Sequence, residues 1–398
     1  MLKHLETLPP DPILSLGQAY EADPRAHKIG LSVGVYRDES GQTPVPAAIK
    51  AAEQRLIEHQ TTKAYIGQRG APEFLQGMQA LVFGKDFTRT DALALTQTAG
   101  GCGAVRLGAE LIAAAQDRNA ARVWLSRPTW GNHVPLLTSA GLEIAEYPYY
   151  DRATSTLEFT AMMASLEHAT PGDVVLLHGC CHNPTGADLD TAQWQSLADL
   201  CRRRSLLPFI DLAYQGFGEG LEADAGGLRL LAESVPELIV AVSCSKNFGL
   251  YRERVGLLAV VADGAGAARA AESHILALAR TSYTMAPFHG AGLVGLVLTD
   301  PGLHATWVQE LDRMRARIKQ MRTALAAALA DAVPQRDFSF IARQHGMFSF
   351  LGLSAAQCAR LRDAHAVYLL DSSRINIAGL NAAAIEPCAA AIAAVIAD

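Results

Sequence analysis

Ser243-Cys244-Ser245-Lys246, followed eight residues later by Arg254, is the stretch of this sequence whose residue types could do chemistry. Hydroxyls and a guanidinium fork suit a phosphate group. A lysine held near cationic or apolar neighbours can lose its proton and attack a carbonyl. Together they match what pyridoxal phosphate requires: a Schiff base at one end and an anion site at the other. The same short motif would also serve in a plain surface loop, and its wording alone does not separate the two. The residues before it do bear on the choice. Leu238-Ile239-Val240-Ala241-Val242 is apolar throughout, as a parallel strand buried on both faces must be. Lys246 therefore falls just beyond a strand's C-terminal end, where open α/β sheets place their ligands.

Other stretches repeat this arrangement of an apolar strand followed by polar groups. Leu93–Thr96 reads as a strand, and Gly100-Gly101-Cys102-Gly103 then opens a helix over 104–115. Such an opening presents backbone N–H groups and a positive dipole end to an anion, although tight turns also use glycine. Val123–Ser126 leads to Trp130 and His133, residue types that more often fill cores. Asp173–His178 feeds His182-Asn183-Pro184-Thr185-Gly186, a strong turn signal whose asparagine could also donate to a phenolate oxygen. Leu206–Ile210 ends at Asp211, with Tyr214 three residues on. A carboxylate there is costly to bury unpaired; opposite a pyridine nitrogen it would keep that nitrogen protonated. At the two ends of the chain, Leu31–Tyr36 alternates like a strand around Gly34, where a bulge or a close ligand would explain the glycine. Met347–Leu351 and the segment around Arg374 read as strands of an α+β tail. Leu303, Trp307, Leu311, Met314, Ile318, Met321, Leu325 and Leu329 recur at helical spacing, predicting one long amphipathic helix.

The full wording from Ser243 to Gly256, S-C-S-K-N-F-G-L-Y-R-E-R-V-G, resembles the lysine segment of the fold-type I, class I pyridoxal-phosphate aminotransferases, in the aspartate and aromatic amino-acid branch. The likeness runs from about Pro12 to the C-terminal helix, with its motifs in the family's order. It implies an α/β chain of the fold-type I transferase class, with a mostly parallel central sheet in a large domain (44–312) and a small α+β domain from both ends (1–43 and 313–398). It implies that Lys246 holds pyridoxal 5′-phosphate, with Asp211, Tyr214 and Asn183 on the ring and its phenolic oxygen. Trp130 would lie against the ring, with His133 behind Asp211. Gly101, Cys102, Ser243, Ser245 and Arg254 would form the phosphate site, joined by Tyr65 from a neighbouring subunit, so that a homodimer with shared active sites is expected. Gly34, Trp130, Asn183 and Arg374 would meet the substrate, Arg374 taking its α-carboxylate, and Arg280 would reach the partner's active site to pair with a side-chain carboxylate. Cys102 departs from the family, which usually places a threonine or serine there.

The implied reaction is two-step transfer of an amino group from an amino acid to a 2-oxo acid such as 2-oxoglutarate. Arg280 favours aspartate and glutamate, whereas Ala64 and Met285 stand where an aspartate-specialised member tends to carry asparagines. Phenylalanine and tyrosine, with tryptophan a further candidate, are therefore expected alongside the dicarboxylates; a dedicated aspartate aminotransferase is the alternative. A lyase or decarboxylase on the same scaffold fits less well with paired arginines, and a cofactor-sensing regulator would need a DNA-binding segment.

Composition narrows the setting. With 398 residues, 50% hydrophobic, the chain can bury a large core and is expected to form two domains. A net charge of −6 without a basic run disfavours nucleic acid and anionic membrane as partners. No apolar signal core or membrane-length stretch is visible. Seven cysteines without a C-x-x-C pair fit a reduced, cytoplasmic protein, and adjacent Cys180 and Cys181 make a poor zinc geometry in sequence. No metal is expected.

Overall fold

In the computed structural model, residues 2–115 and 122–397 are described. The chain divides into two compact units. One comprises Pro44–Arg317 with Gln344–Gly346; the other comprises the chain up to Thr43, Ile318–Arg343 and the chain from Met347 onward.

The first unit is built on a seven-stranded sheet in the order Leu93–Ala99, Val255–Val261, Leu238–Ser243, Leu207–Leu212, Val174–His178, Arg122–Arg127 and Glu143–Pro148. The last five run parallel to one another. Val255–Val261 runs against both of its neighbours, so the sheet is mostly parallel with one reversed strand. Every residue of Leu238–Ser243 and of Val255–Val261 is buried, which is why both read as unbroken apolar runs. The helix Gly100–Ala115 lays Val105, Ile112 and their neighbours into the same core as Phe209, Ile239 and Leu258. Asp211 lies inside its strand, paired with His178 on one side and Ala241 on the other, rather than following the strand's end.

The second unit holds two small pairs of strands: Ile29–Gly30 parallel to Val367–Tyr368, and Phe348–Phe350 antiparallel to Arg374–Asn376. Its helices include Pro12–Ala22, capped by the Asp11 carboxylate accepting from the N–H groups of Ile13 and Leu14, and Ala355–His365, which opens with a Ser354–Gln357 capping box. The expected strand over 31–36 does not form; the strand stops at Gly30. The Asn376 side chain donates to the carbonyls of Val33 and Val35 (2.8 Å each), satisfying oxygens that a neighbouring strand would have taken. Alternation of residue types survives there without a ladder to support it.

The long helix spans Pro301–Ala332. Leu303, Trp307, Leu311, Ile318, Met321, Leu325 and Leu329 are buried along it, while Met314 is partly exposed. Among the described residues no helix is long and apolar enough to cross a membrane.

Candidate active site

The lysine strand, Leu238–Ser243, and the reversed strand after it bring both ends of the Lys246 loop to one place on the sheet, because Ser243 pairs directly with Gly256. The loop is held from outside as well. Trp307 donates its indole N–H to the Asn247 carbonyl (2.7 Å) and stacks on Phe248, with ring centroids 4.5 Å apart and planes within 2°. Lys246 itself is partly exposed, its Nζ 4.9 Å above the Tyr214 ring centroid.

Beside the loop lies a group of polar side chains. The Arg254 guanidinium reaches Ser245 Oγ at 3.5 Å and donates to the Tyr251 carbonyl at 3.0 Å. Ser243 Oγ accepts from the Ser245 N–H at 3.2 Å. The 16-residue helix that begins at Gly100 points its N-terminus here. A Cβ on Gly100 (φ +74°) would sit 2.6 Å from Arg254 Nη2, and one on Gly101 would sit 2.7 Å from Ser243 Cβ. Only glycine lets the helix end, the guanidinium and the serine strand converge, and backbone N–H groups plus a cation make an anion cradle. Cys102 is half-buried in the same place, its sulfur 3.5 Å from Asn132 Nδ2. Burial raises its thiol pKa, with Arg254 and Asn132 pulling the other way.

One strand over, Asp211 Oδ2 lies 3.0 Å from His133 Nε2. Thr129 Oγ1 bridges His133 Nδ1 (2.8 Å) and His178 Nε2 (3.3 Å), and the rings of Trp130 and His133 meet edge to face at 5.1 Å. Burial would raise the Asp211 pKa, but the hydrogen bond and charge of His133, together with His178 and Lys246, hold it below the usual carboxylate value. The aspartate therefore stays ionised in a buried place. Behind it, burial and the charge of His133 push His178 down to about 3, although this residue also reaches a cavity wall. His182 is fully buried, accepts or donates at both ring nitrogens (Ser126 Oγ 3.0 Å, Thr185 Oγ1 2.9 Å) and stacks on Tyr149 at 4.1 Å. These contacts fix the turn that carries buried Asn183. Two backbone N–H groups of that turn, from Cys181 and His182, donate to the Asp188 carboxylate at 2.8 Å each.

This unit thus gathers Lys246, Tyr214, Asp211, His133, Trp130, Asn183, Arg254, Ser243, Ser245, Gly101 and Cys102 around the ends of neighbouring strands and the helix start. Tyr65 and Arg280 are exposed, Tyr65 at 88%. In the other unit, Arg374 is buried, donates from Nη2 to the Ser32 carbonyl (2.8 Å) and lies 4.3 Å over the Phe348 ring. A Cβ on Gly34 would sit 2.8 Å from Phe348 Cζ, so Gly34, Phe348 and Arg374 form one packed group. The sequence reading missed His178, His182 and the role of Trp307. The first two were visible only as histidines flanking a turn, and Trp307 only as one member of an apolar stripe.

Comparison with known proteins gives the family of the chain. The profile of the family described as Aminotransferase class I and II matches residues 26–392. The chain belongs to this family. It is an aminotransferase, and its mixed α/β architecture is that of the fold-type I members. It is 48% identical over the whole of both chains to the aspartate aminotransferase of Escherichia coli, and 48% identical, over 98% of each, to the aromatic-amino-acid aminotransferase of Pseudomonas aeruginosa. Its structure is similar to that of the Burkholderia pseudomallei aromatic-amino-acid aminotransferase, which is covalently bound to pyridoxal phosphate. The TM-score is 0.96, at 42% identity and 99% coverage of each chain.

Proposed function

We propose that this aminotransferase uses pyridoxal 5′-phosphate to move the amino group of phenylalanine, tyrosine, aspartate and glutamate to a 2-oxo acid such as 2-oxoglutarate. The observation that carries the reading is the convergence of Lys246, ionised Asp211 and the glycine-floored cradle of Arg254, Ser243 and Ser245. The residues fit the cofactor. A Cβ on Gly100 would meet the Arg254 guanidinium and one on Gly101 would meet Ser243, so a cation and a hydroxyl stand at the helix start as a phosphate requires, and a buried anionic Asp211 suits a protonated ring nitrogen.

When bound, the cofactor supplies an electron sink that acidifies the substrate's α-carbon. Lys246 Nζ would hold it, and the freed amine would take and return the substrate's α-proton, acting as base and acid in turn. Asp211, steadied by His133 at 3.0 Å, would keep a proton on the cofactor's ring nitrogen. Asn183 and Tyr214 would hold its phenolic oxygen, and Trp130 would lie against its ring. Arg374, with Gly34 beside it, binds the substrate α-carboxylate and so orients the Cα–H bond.

Arg280 retains acidic substrates, and Ala64 and Met285 leave room for a ring. Identity to the relatives does not separate the two preferences, since the aspartate and aromatic enzymes above match equally well at 48%. The protein acts as a cytoplasmic homodimer in which Tyr65 and Arg280 serve the neighbouring subunit's site. Their exposure supports that reading, as do the seven cysteines, none in a disulfide.

The deciding experiment is a single-turnover absorbance measurement on cofactor-loaded protein with one amino acid at a time. Conversion of the cofactor by phenylalanine and by glutamate at comparable rates is expected. Conversion by aspartate and glutamate alone would move the enzyme to the dedicated aspartate reading, and conversion by none would sink both.

A further inference from the structure

A cavity of about 360 Å³ lies in the larger unit, its walls including His178, Cys180, Asp188, Glu219, Asp224 and His345. Nothing in the transamination scheme uses Cys180, Cys181 or Asp224. Successive side chains of an extended strand point to opposite faces, so adjacent cysteines ordinarily make a poor chelate. Cys181 departs from that rule: its φ is +51°, in the left-handed region. The Cys180 and Cys181 sulfurs and a carboxylate oxygen of Asp224 consequently lie within 4.8 Å of one another, all three residues buried. None of the cysteines is in a disulfide.

We propose that Cys180, Cys181 and Asp224 form a site for a thiophilic divalent cation of the cadmium or zinc type, reached through this cavity. Two sulfurs and one carboxylate oxygen are the donor set such ions select over magnesium or calcium. Sulfur–metal bonds of about 2.3 Å in tetrahedral geometry need the sulfurs roughly 3.8 Å apart, so the three side chains must close by no more than about 1 Å. The remaining coordination position is left to water or a small anion in the cavity. On binding, each thiol gives its proton to solvent, so one cation displaces two protons and no electron is transferred.

The surroundings already fix these donors. Asp224 accepts the backbone N–H groups of Gly216 (2.8 Å), Gly218 (2.9 Å) and Glu219 (2.7 Å), which sets the carboxylate's orientation. Asp188 accepts the N–H groups of Cys181 and His182 at 2.8 Å each, which holds the cysteine turn. His345 lies between the acids of the rim, 3.0 Å from Glu219 and 3.6 Å from Asp188. Outer partners of this kind are what hold metal ligands in place.

The test is titration of the cofactor-loaded enzyme with Cd²⁺, following sulfur-to-cadmium charge-transfer absorption. One saturating equivalent per chain is expected, together with release of two protons per cation. Cys180→Ser and Cys181→Ser should each roughly halve the band at saturation and weaken binding by more than the roughly 10–100-fold typical of an outer partner's loss, and the double variant should lose the band. Cys358→Ser, in the other unit, should leave both unchanged. A band of undiminished strength in the Cys180→Ser/Cys181→Ser double variant overturns the site, as does the absence of any band in the native enzyme. The proton count needs no variant, so the proposal is decided even if a substitution disturbs folding: release of no protons overturns it.

Discussion

Cys102 stands at the start of the helix that floors the anion cradle, where a hydroxyl would donate more strongly than a thiol. Cys102→Ser keeps the size of the side chain and adds that donor. Loss of the phosphate-bearing cofactor should slow about fivefold, ~1 kcal/mol, in a dilution assay; unchanged or faster loss would discard the assigned contact. His182 offers a different handle. Burial, with the charges of His178 and His133, holds its pKa well below the ordinary value. The folded-state pKa is depressed, so the unfolded chain binds the extra proton first. Stability is full above about pH 6.5 and falls as pH drops toward the folded value, by up to about 1.4 kcal/mol per pH unit. Urea unfolding across that window should show a shallower slope for His182→Gln than for the native chain, and equal slopes would mean the imidazole is not the titrating group. Lys246 and Asp211 could be singled out in the sequence because each follows or ends an apolar run, and Arg254 because it lies eight residues after Lys246. The two inner histidines could not, since nothing in the order of residues says that their rings meet.

At the scale of elements, the contact of the Gly100–Ala115 helix with the lysine strand is the joint on which the cradle depends. Gly101→Ala places a methyl 2.7 Å from Ser243 Cβ. Overpacking there should cost about 1–3 kcal/mol and reduce cofactor loading. Gly131→Ala, where an added Cβ meets nothing within 4 Å, is the matched control and should change stability by less than about 0.5 kcal/mol. Equal effects on melting temperature and loading in the two variants would show that the joint is not tight. Elements with a repeated apolar spacing, above all Pro301–Ala332, were legible because burial imposes that spacing. The strand expected at 31–36 misled for the opposite reason. Its carbonyls are satisfied by the side chain of Asn376, a partner more than 340 residues away in sequence. The reversed strand Val255–Val261 is apolar like the buried parallel strands of the sheet, so its direction could not be read from composition.

For the whole molecule, shared sites make a sharp demand. If Arg280 serves the neighbouring subunit, Lys246→Ala and Arg280→Ala chains should complement each other when mixed and reassembled. The mixed dimer has one site with its own lysine and a donated arginine. Aspartate turnover at equal mixing should recover to about a quarter of native, since half the dimers are mixed and each has one competent site of two. No recovery would place Arg280 in its own subunit's site or outside catalysis. Fold class was legible across nearly the whole chain because the motifs stand in order between apolar runs. Where one compact unit gives way to the other, at Arg317 and Ile318 inside a continuous helix, no loop composition marks the change.

The reversed strand also bears on how the protein reaches its native state. Parallel neighbours wait for a crossover connection to be laid down, whereas Leu238–Ser243 and Val255–Val261 are joined by a short loop and pair beginning at Ser243 and Gly256. Closing a loop of that length carries a small entropic penalty, so this pairing is among the cheapest long contacts the sheet can make. Pulse-labelled hydrogen exchange during refolding should find these two strands protected before Leu93–Ala99, whose partner lies about 160 residues downstream. Late protection would refute that order. Early protection would mean that the loop bearing Lys246 and Arg254 closes at the nucleus of folding, ahead of the sheet that will surround it.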